Sequence, residues 1–202
     1  IFHRGRSMEG ASEGKMLAAA VPPQEAEALM KGLSGVSVAA LNSPFSVTFS
    51  GEAVPLDEIS RRLESQKIFN RFLKVPHAFH SHLMDFVEED LVTSLVNIEP
   101  RTPGIPFIST VSGRASNGDR LDAQYWWANV RKAVRFTEAM DVLIREGHSV
   151  FLELGPHPVL ATSIHECLRY RGRKGTALAS LRRGEDDRRT MLESTMDRRV
   201  SW

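Results

Sequence analysis

Apolar positions along the first third of the chain change period several times. Lys15 to Val21 is a short apolar run stopped by Pro22-Pro23. A proline at a first helical position, followed by Gln24, Glu25 and Glu27, predicts a helix to about Lys31, closed by Gly32. Val36 to Leu41 is apolar and β-branched, Asn42-Ser43-Pro44 is a turn, and Ser46 to Phe49 alternates before Gly51, which together predict a hairpin. Leu56, Ile59 and Leu63 then recur at helical spacing up to Gln66, and Ile68 to Val75 forms a last strand ending at Pro76. Strand, helix, strand, strand, helix, strand is the split βαβ order of a ferredoxin-like unit, here over residues 15–76.

Beyond residue 76 the pattern lengthens. Leu83 to Ile98 carries Leu83, Phe86, Val87, Leu91 and Leu95 on one stripe and predicts a single amphipathic helix. Ile105 to Val111 reads as a strand, Ser112 to Arg120 as a polar loop, and Ala123 to Glu146 as mostly helix. Ser149 to Leu154 is an apolar strand broken by Gly155-Pro156, Ala161 to Arg169 a helix, and Thr176 to Leu181 a strand. Strands alternating with helices predict an α/β class with a parallel sheet covered by helices.

Composition narrows the partners. With 202 residues the chain can bury one substantial core, or a core with a small satellite. A formal net charge of +1 gives no bulk attraction to nucleic acid or to an anionic membrane, although basic residues gather from Arg169 to Arg189. No apolar run approaches the ~18 residues a membrane helix needs. The single cysteine, Cys167, allows no intrachain disulfide and implies no oxidising compartment, so a cytoplasmic setting is expected. The first residues, Ile1-Phe2-His3-Arg4-Gly5-Arg6, resemble neither a signal peptide nor a chain start, and read as a helix already under way in a longer polypeptide.

Three segments could carry chemistry. His77, His80 and His82 crowd into Pro76-His77-Ala78-Phe79-His80-Ser81-His82, at the junction of a strand and a helix. They allow a polar helix entry with Ser81 as N-cap, a metal site, or a general base at a loop tip. The three cannot share one helix face, and no cysteine or carboxylate sits among them, which weakens the metal reading. Glu153-Leu154-Gly155-Pro156-His157-Pro158 places a sharp turn after a strand, with His157 read as a turn residue. Tyr125-Trp126-Trp127 and the nearby Val134-Arg135-Phe136 read first as packing.

In this order these segments resemble the acyltransferase domains of polyketide synthases, which are similar in turn to the malonyl transferases of fatty acid synthesis. The likeness is carried by Met16 to Val21, by Ala39-Ala40-Leu41-Asn42-Ser43-Pro44 through Ser50-Gly51-Glu52, and by Ala78-Phe79-His80-Ser81. Tyr125-Trp126 with Asn129, and Glu153 to Leu160, complete it. It implies part of an α/β-hydrolase-like large subdomain (residues 1–14 and 77–180), an inserted ferredoxin-like small subdomain (15–76) and a post-acyltransferase linker (181–202). It also implies a ping-pong reaction: a serine takes the malonyl group from malonyl-CoA and passes it to the phosphopantetheine thiol of an acyl carrier protein. No resident cofactor or metal is implied; the further partner is a ketosynthase domain of the same polypeptide.

Residue by residue, the resemblance makes His80 the base, with the backbone carbonyl of Asn129 fixing its tautomer. Arg4, in an Arg-x-x-x-Met context with Met8, would pair with the free malonyl carboxylate, and Asn42 joins the substrate-binding set. His77-Ala78-Phe79-His80 takes the malonyl form of the selectivity box, in which the Phe79 ring fills the space of an α-methyl group. The chain departs from the family pattern in that neither the Gly-His-Ser-x-Gly elbow nor the upstream Gly-x-Gly-x-Gln segment that helps form the oxyanion hole occurs in these residues. The 202 residues alone are therefore expected to lack transferase activity and to fold poorly, with the apolar faces of residues 105–111 and 149–154 exposed. The basic stretch around Arg182-Arg183 could meet an acidic carrier protein or simply be solvated. The competing function is a noncatalytic module that docks a carrier protein.

Overall fold

The structure, a computed structural model, describes residues 2–118 and 120–195. The chain divides into two compact units, Ile1–Ala139 and Met140–Trp202.

The first unit is built on a four-stranded sheet. β1 (Lys15–Ala19) lies antiparallel between β3 (Ser46–Gly51) and β4 (Asn70–Phe72), and β2 (Val36–Ser43) pairs with the far side of β3, giving the order β2-β3-β1-β4. Leu17 stands opposite Phe49 on one side and Phe72 on the other. Its side chain, with those of Val47 and Phe49, points to one face and is fully buried. Two helices cover that face. α2 (Pro23–Met30) opens on a proline, whose missing N–H costs nothing in a first turn. α3 (Ala53–Ser65) sets Leu56, Ile59 and Leu63 on one stripe, all with no exposed surface. Each such side chain contributes about 2 kcal/mol by leaving water.

Gly51 closes β3 at φ +152°, and a Cβ there would stand 2.1 Å from the Gly35 carbonyl oxygen. The last predicted strand shortens to β4, because Lys67 turns the chain in the left-handed region and only Asn70–Phe72 pair along β1.

The helix predicted over residues 83–98 is two pieces. A 3-10 turn (His82–Val87) precedes α4 (Glu88–Ser94). Glu88, Glu89 and Asp90 fill the first turn of α4, where carboxylates meet the positive end of the helix dipole, so the α-helix starts there. Met84, Val87, Leu91 and Val130 form a second buried cluster, against which Met8, Phe79 and Trp127 pack. The region predicted as mostly helix over 123–146 also breaks, into α5 (Ala123–Arg131) and α6 (Phe136–Arg145). Val134 causes the break: its N–H donates to Ala39 O at 2.8 Å and its carbonyl accepts from Leu41 N at 2.9 Å, so the chain is drawn out against β2 at Val134, and the Arg135 N–H turns to Thr110 O. In the polar loop, Arg114–Ser116 form β6, antiparallel to β5 (Phe107–Ser109), after a turn at Gly113.

In the second unit β7 (Val150–Glu153) runs parallel to β8 (Thr176–Ala179), joined through α7 (Ala161–Tyr170). Ile164, Cys167 and Leu168 are the buried stripe of α7, and burial pushes the Cys167 thiol up to about 12. Asp141 accepts ion pairs from both Arg145 and Arg171. Val150 and Leu152, alternate residues of β7, remain 40% and 42% exposed. Of the stretch assigned to a linker, residues 187–195 form α8 (Asp187–Thr195), and residues 196–202 lie outside the described residues. No helix among the described residues is long and apolar enough to cross a membrane.

Candidate active site

The histidine-rich segment leaves the first sheet after β4 and is pinned by its backbone. His77 makes an isolated antiparallel bridge to Glu13, and Ala78 is fully buried. Gly14 makes this approach possible, since a Cβ there would sit 2.5 Å from that of Ala78. Ser81 then closes the turn: its hydroxyl donates to Ala78 O at 2.7 Å and accepts from Leu83 N at 3.2 Å, the N-cap role its position suggested. Between them His80 adopts φ +60°, a conformation that costs a non-glycine residue about 1–2 kcal/mol. It persists because both ends of the residue are held.

Those holds come from the far end of α5. The His80 N–H donates to Val130 O at 3.3 Å, and the imidazole Nδ1 lies 2.8 Å from Lys132 O. A carbonyl only accepts, so Nδ1 carries the proton and Nε2 keeps its lone pair. Burial lowers the His80 pKa from 6.5, and the nearby Arg4 charge lowers it further, against the Lys132 carbonyl, which favours the protonated ring. The imidazole is therefore neutral at pH 7, with a free base at Nε2.

Arg4 reaches the same end of α5 from α1 (Phe2–Met8). Its Nη1 donates to Asn129 Oδ1 at 3.0 Å, across 125 positions of sequence. Its Nε is buried with no partner among the described residues, and burial lowers the guanidinium pKa. The guanidinium and the imidazole thus hang from neighbouring residues of one helix terminus.

This corrects the role expected of Asn129. The carbonyl that meets His80 belongs to Lys132, not to Asn129. Asn129 lies inside α5, where a carbonyl points along the axis toward the following turn. Lys132 is the first residue past the helix, at φ −83° and ψ 157°, and that extended ψ swings its oxygen out toward the ring. What Asn129 brings to the site is its side-chain amide.

The other candidates take distinct places. His77 and Phe79 stack edge to face, with ring centres 5.9 Å apart, and Phe79 is anchored on the Met84–Val130 cluster. His77 Nδ1 is buried with no partner among the described residues. Asn42 donates to Thr48 Oγ1 at 2.9 Å within its own hairpin. His82 Nε2 lies 3.4 Å from Glu52, so the three imidazoles go three ways. Among the described residues no group of three His, Cys, Asp or Glu side chains could hold a metal ion.

Several residues that build the site gave no sequence signal. Lys132 contributes only a main-chain oxygen. Asp85 holds Arg131 and so ties the 3-10 turn to α5, while Asp90 accepts from Ser7 and ties α4 to α1. In the second unit His157 is a turn residue, its Nδ1 accepting from Arg183 N at 3.4 Å. Glu153 makes that turn: its carboxylate accepts from Val159 N at 2.9 Å and from Leu160 N at 3.0 Å, at the start of α7.

A neutral imidazole with a free Nε2 can take a proton from a hydroxyl, and a guanidinium whose Nε has no partner among the described residues can hold a carboxylate. The family model for the acyl transferase domain matches residues 1–201. The spectinabilin polyketide synthase system protein NorC of Streptomyces orinoci is 41% identical over 165 residues, 82% of this chain and 7% of that protein. The highly reducing polyketide synthase frbB of Dothideomycetidae sp. (strain 11243) is 36% identical over 205 residues, 95% of this chain and 8% of that one. Among solved structures, the acyltransferase domain from module 8 of the salinomycin polyketide synthase superposes with a TM-score of 0.92 at 30% identity, over 95% of this chain and 46% of that one. The chain thus spans a small part of the synthases it matches and under half of that solved chain. By the match along its length, this chain belongs to the acyltransferase domains of polyketide synthases.

Proposed function

We propose that this chain is the histidine-bearing part of an acyltransferase that transfers a malonyl extender unit. In this reading a serine from outside the 202 residues attacks the thioester of malonyl-CoA. His80 Nε2 takes the serine proton as the O–C bond forms, and the imidazolium returns it to the departing CoA thiolate as the C–S bond breaks. In the second half-reaction the phosphopantetheine thiol of an acyl carrier protein attacks the acyl-serine, giving its proton to His80, which passes it back to the serine oxygen. Arg4 holds the malonyl carboxylate throughout, and Phe79, stacked against His77, narrows the space beside the α-carbon.

The observation that carries the reading is the pair of anchors on α5: His80 Nδ1 on the Lys132 carbonyl and Arg4 Nη1 on Asn129. They support a base with a free Nε2 beside a cation with unspent donors, which is what transfer of a carboxylated acyl group needs. The sheet order β2-β3-β1-β4 with two helices on one face supports a ferredoxin-like small subdomain, and the parallel pair β7–β8 supports part of an α/β-hydrolase-like large one. A ketosynthase domain in the same polypeptide is the expected neighbour.

Labelled malonyl-CoA tests the reading. The parent polypeptide, with its serine, should retain label after denaturation and lose it on addition of carrier protein, whereas the 202 residues alone should retain none. A His80→Ala parent that labels at the full rate would overturn the assignment of the base.

A further inference from the structure

Arg4 is fixed at two levels. Its backbone is tied through its own helix, where Ser7 donates to Asp90 and Met8 packs on the Met84–Val130 cluster. Among the described residues its head is turned by one hydrogen bond, Nη1 to Asn129 Oδ1. That contact spends the end of the fork that lies on the Cδ side and leaves the opposite edge, Nε with Nη2, for a ligand.

The same edge is used elsewhere in this protein to grip a carboxylate. Arg135 donates to Glu138 from Nε at 2.7 Å and from Nη2 at 2.8 Å, in two parallel bonds. Arg4 presents the matching Nε buried and without a partner among the described residues. An asparagine suits this place because its oxygen is a neutral acceptor. It orients the guanidinium without cancelling its charge, whereas an aspartate would form an internal ion pair that an incoming carboxylate must displace.

We infer that the Asn129 side chain is the positioning residue of the carboxylate anchor: it holds Arg4 by Nη1 so that the Nε–Nη2 edge accepts the free carboxylate of the acyl group. The inference rests on the proposed reading of Arg4 and adds to it the device that aims the fork. It also separates two functions within one helix terminus, with the Lys132 carbonyl serving the base and the Asn129 amide serving the cation.

The test uses the acyltransferase polypeptide that carries these residues together with its serine, and compares malonyl-CoA with acetyl-CoA. Asn129→Asp, of nearly unchanged shape, should lower the malonyl-over-acetyl ratio of kcat/KM by about ten- to a hundredfold, the range expected for one hydrogen bond to a charged group. The loss should fall mainly on the malonyl KM, and the acid limb of the pH–rate profile should stay in place. Asn129→Ser, which keeps a short acceptor, should retain part of the preference. An unchanged ratio in Asn129→Asp, with the preference lost in Arg4→Ala, would overturn the inference and leave the reading of Arg4 standing. An unchanged ratio in Arg4→Ala would bring down that reading itself. A shifted acid limb would place the effect of Asn129 on His80, and an unfolded Asn129→Asp would make it a packing residue; either result overturns the proposal.

Discussion

His80 Nδ1 and the Lys132 carbonyl oxygen, 52 positions apart in sequence, face each other at 2.8 Å and fix the tautomer of the ring. The carbonyl is available only because Val134 pulls the chain out of helix onto β2, through its bonds to Ala39 and Leu41. A strand pairing in the small sheet thus sets the orientation of the candidate base.

The His80 ring should titrate below 6.5, because burial and the Arg4 charge both disfavour its protonated form. The unfolded chain binds a proton near 6.5 while the folded one does not, so the contribution of this group to stability is present above that pH and is lost as pH falls below it. Proton NMR of the imidazole, paired with urea unfolding at a series of pH values, checks both. A titration at or above 6.5 would remove the case for a neutral base.

Lys132 acts through its main chain alone, so Lys132→Ala should leave stability within about 0.5 kcal/mol and the His80 titration in place. Val134→Pro deletes the N–H that donates to Ala39 O at 2.8 Å and should loosen the chain at Val134 from β2. It should cost about 1–3 kcal/mol and, by withdrawing the Lys132 carbonyl that favours the protonated ring, move the His80 titration further below its ordinary value. If Lys132→Ala shifts the ring as far as Val134→Pro does, the side chain and not the carbonyl governs it.

Much of the first sheet was legible in the sequence and the site was legible only in part, for physical reasons. Leu17, Val47 and Phe49 alternate because one face of a strand is buried, and Leu56, Ile59 and Leu63 recur at helical spacing for the same reason, so both patterns show in a single chain. The break after α5 does not show, because Val134 leaves the helix for partners on β2, far away in sequence. A β-branched Val134 just past Arg131 and Lys132 was the one local hint. His80 stood out by its neighbours and Arg4 by resemblance. Their partners did not: a backbone oxygen carries no residue identity, and the Arg4–Asn129 contact spans 125 positions.

The core of the first unit should be intolerant of truncation at Phe49, which is fully buried opposite Leu17. Phe49→Ala should destabilise by about 3–5 kcal/mol, from lost transfer energy and the cavity left behind. Denaturant unfolding followed by circular dichroism measures it. A loss below about 1 kcal/mol would mean that this sheet is not the cooperative core of its unit.

In the second unit, the turn after β7 should depend on one carboxylate. Glu153 accepts from Val159 N at 2.9 Å and from Leu160 N at 3.0 Å, satisfying donors at the start of α7 that the helix cannot pair internally. Its negative charge there also meets the positive end of the α7 dipole. Glu153→Gln keeps one acceptor oxygen and loses the charge, while Glu153→Ala loses both. The expected order of stability is therefore wild type, then Gln, then Ala, with Ala lower by about 1.5–3 kcal/mol. Hydrogen exchange at the Val159 and Leu160 amides reads the contact directly: both should be protected in the wild type and should exchange faster in Glu153→Ala. His157→Ala, which removes only the 3.4 Å contact from Arg183 N, should change that exchange little. If His157→Ala instead opens the turn as far as Glu153→Ala does, the histidine holds it, and Glu153 is free for another role.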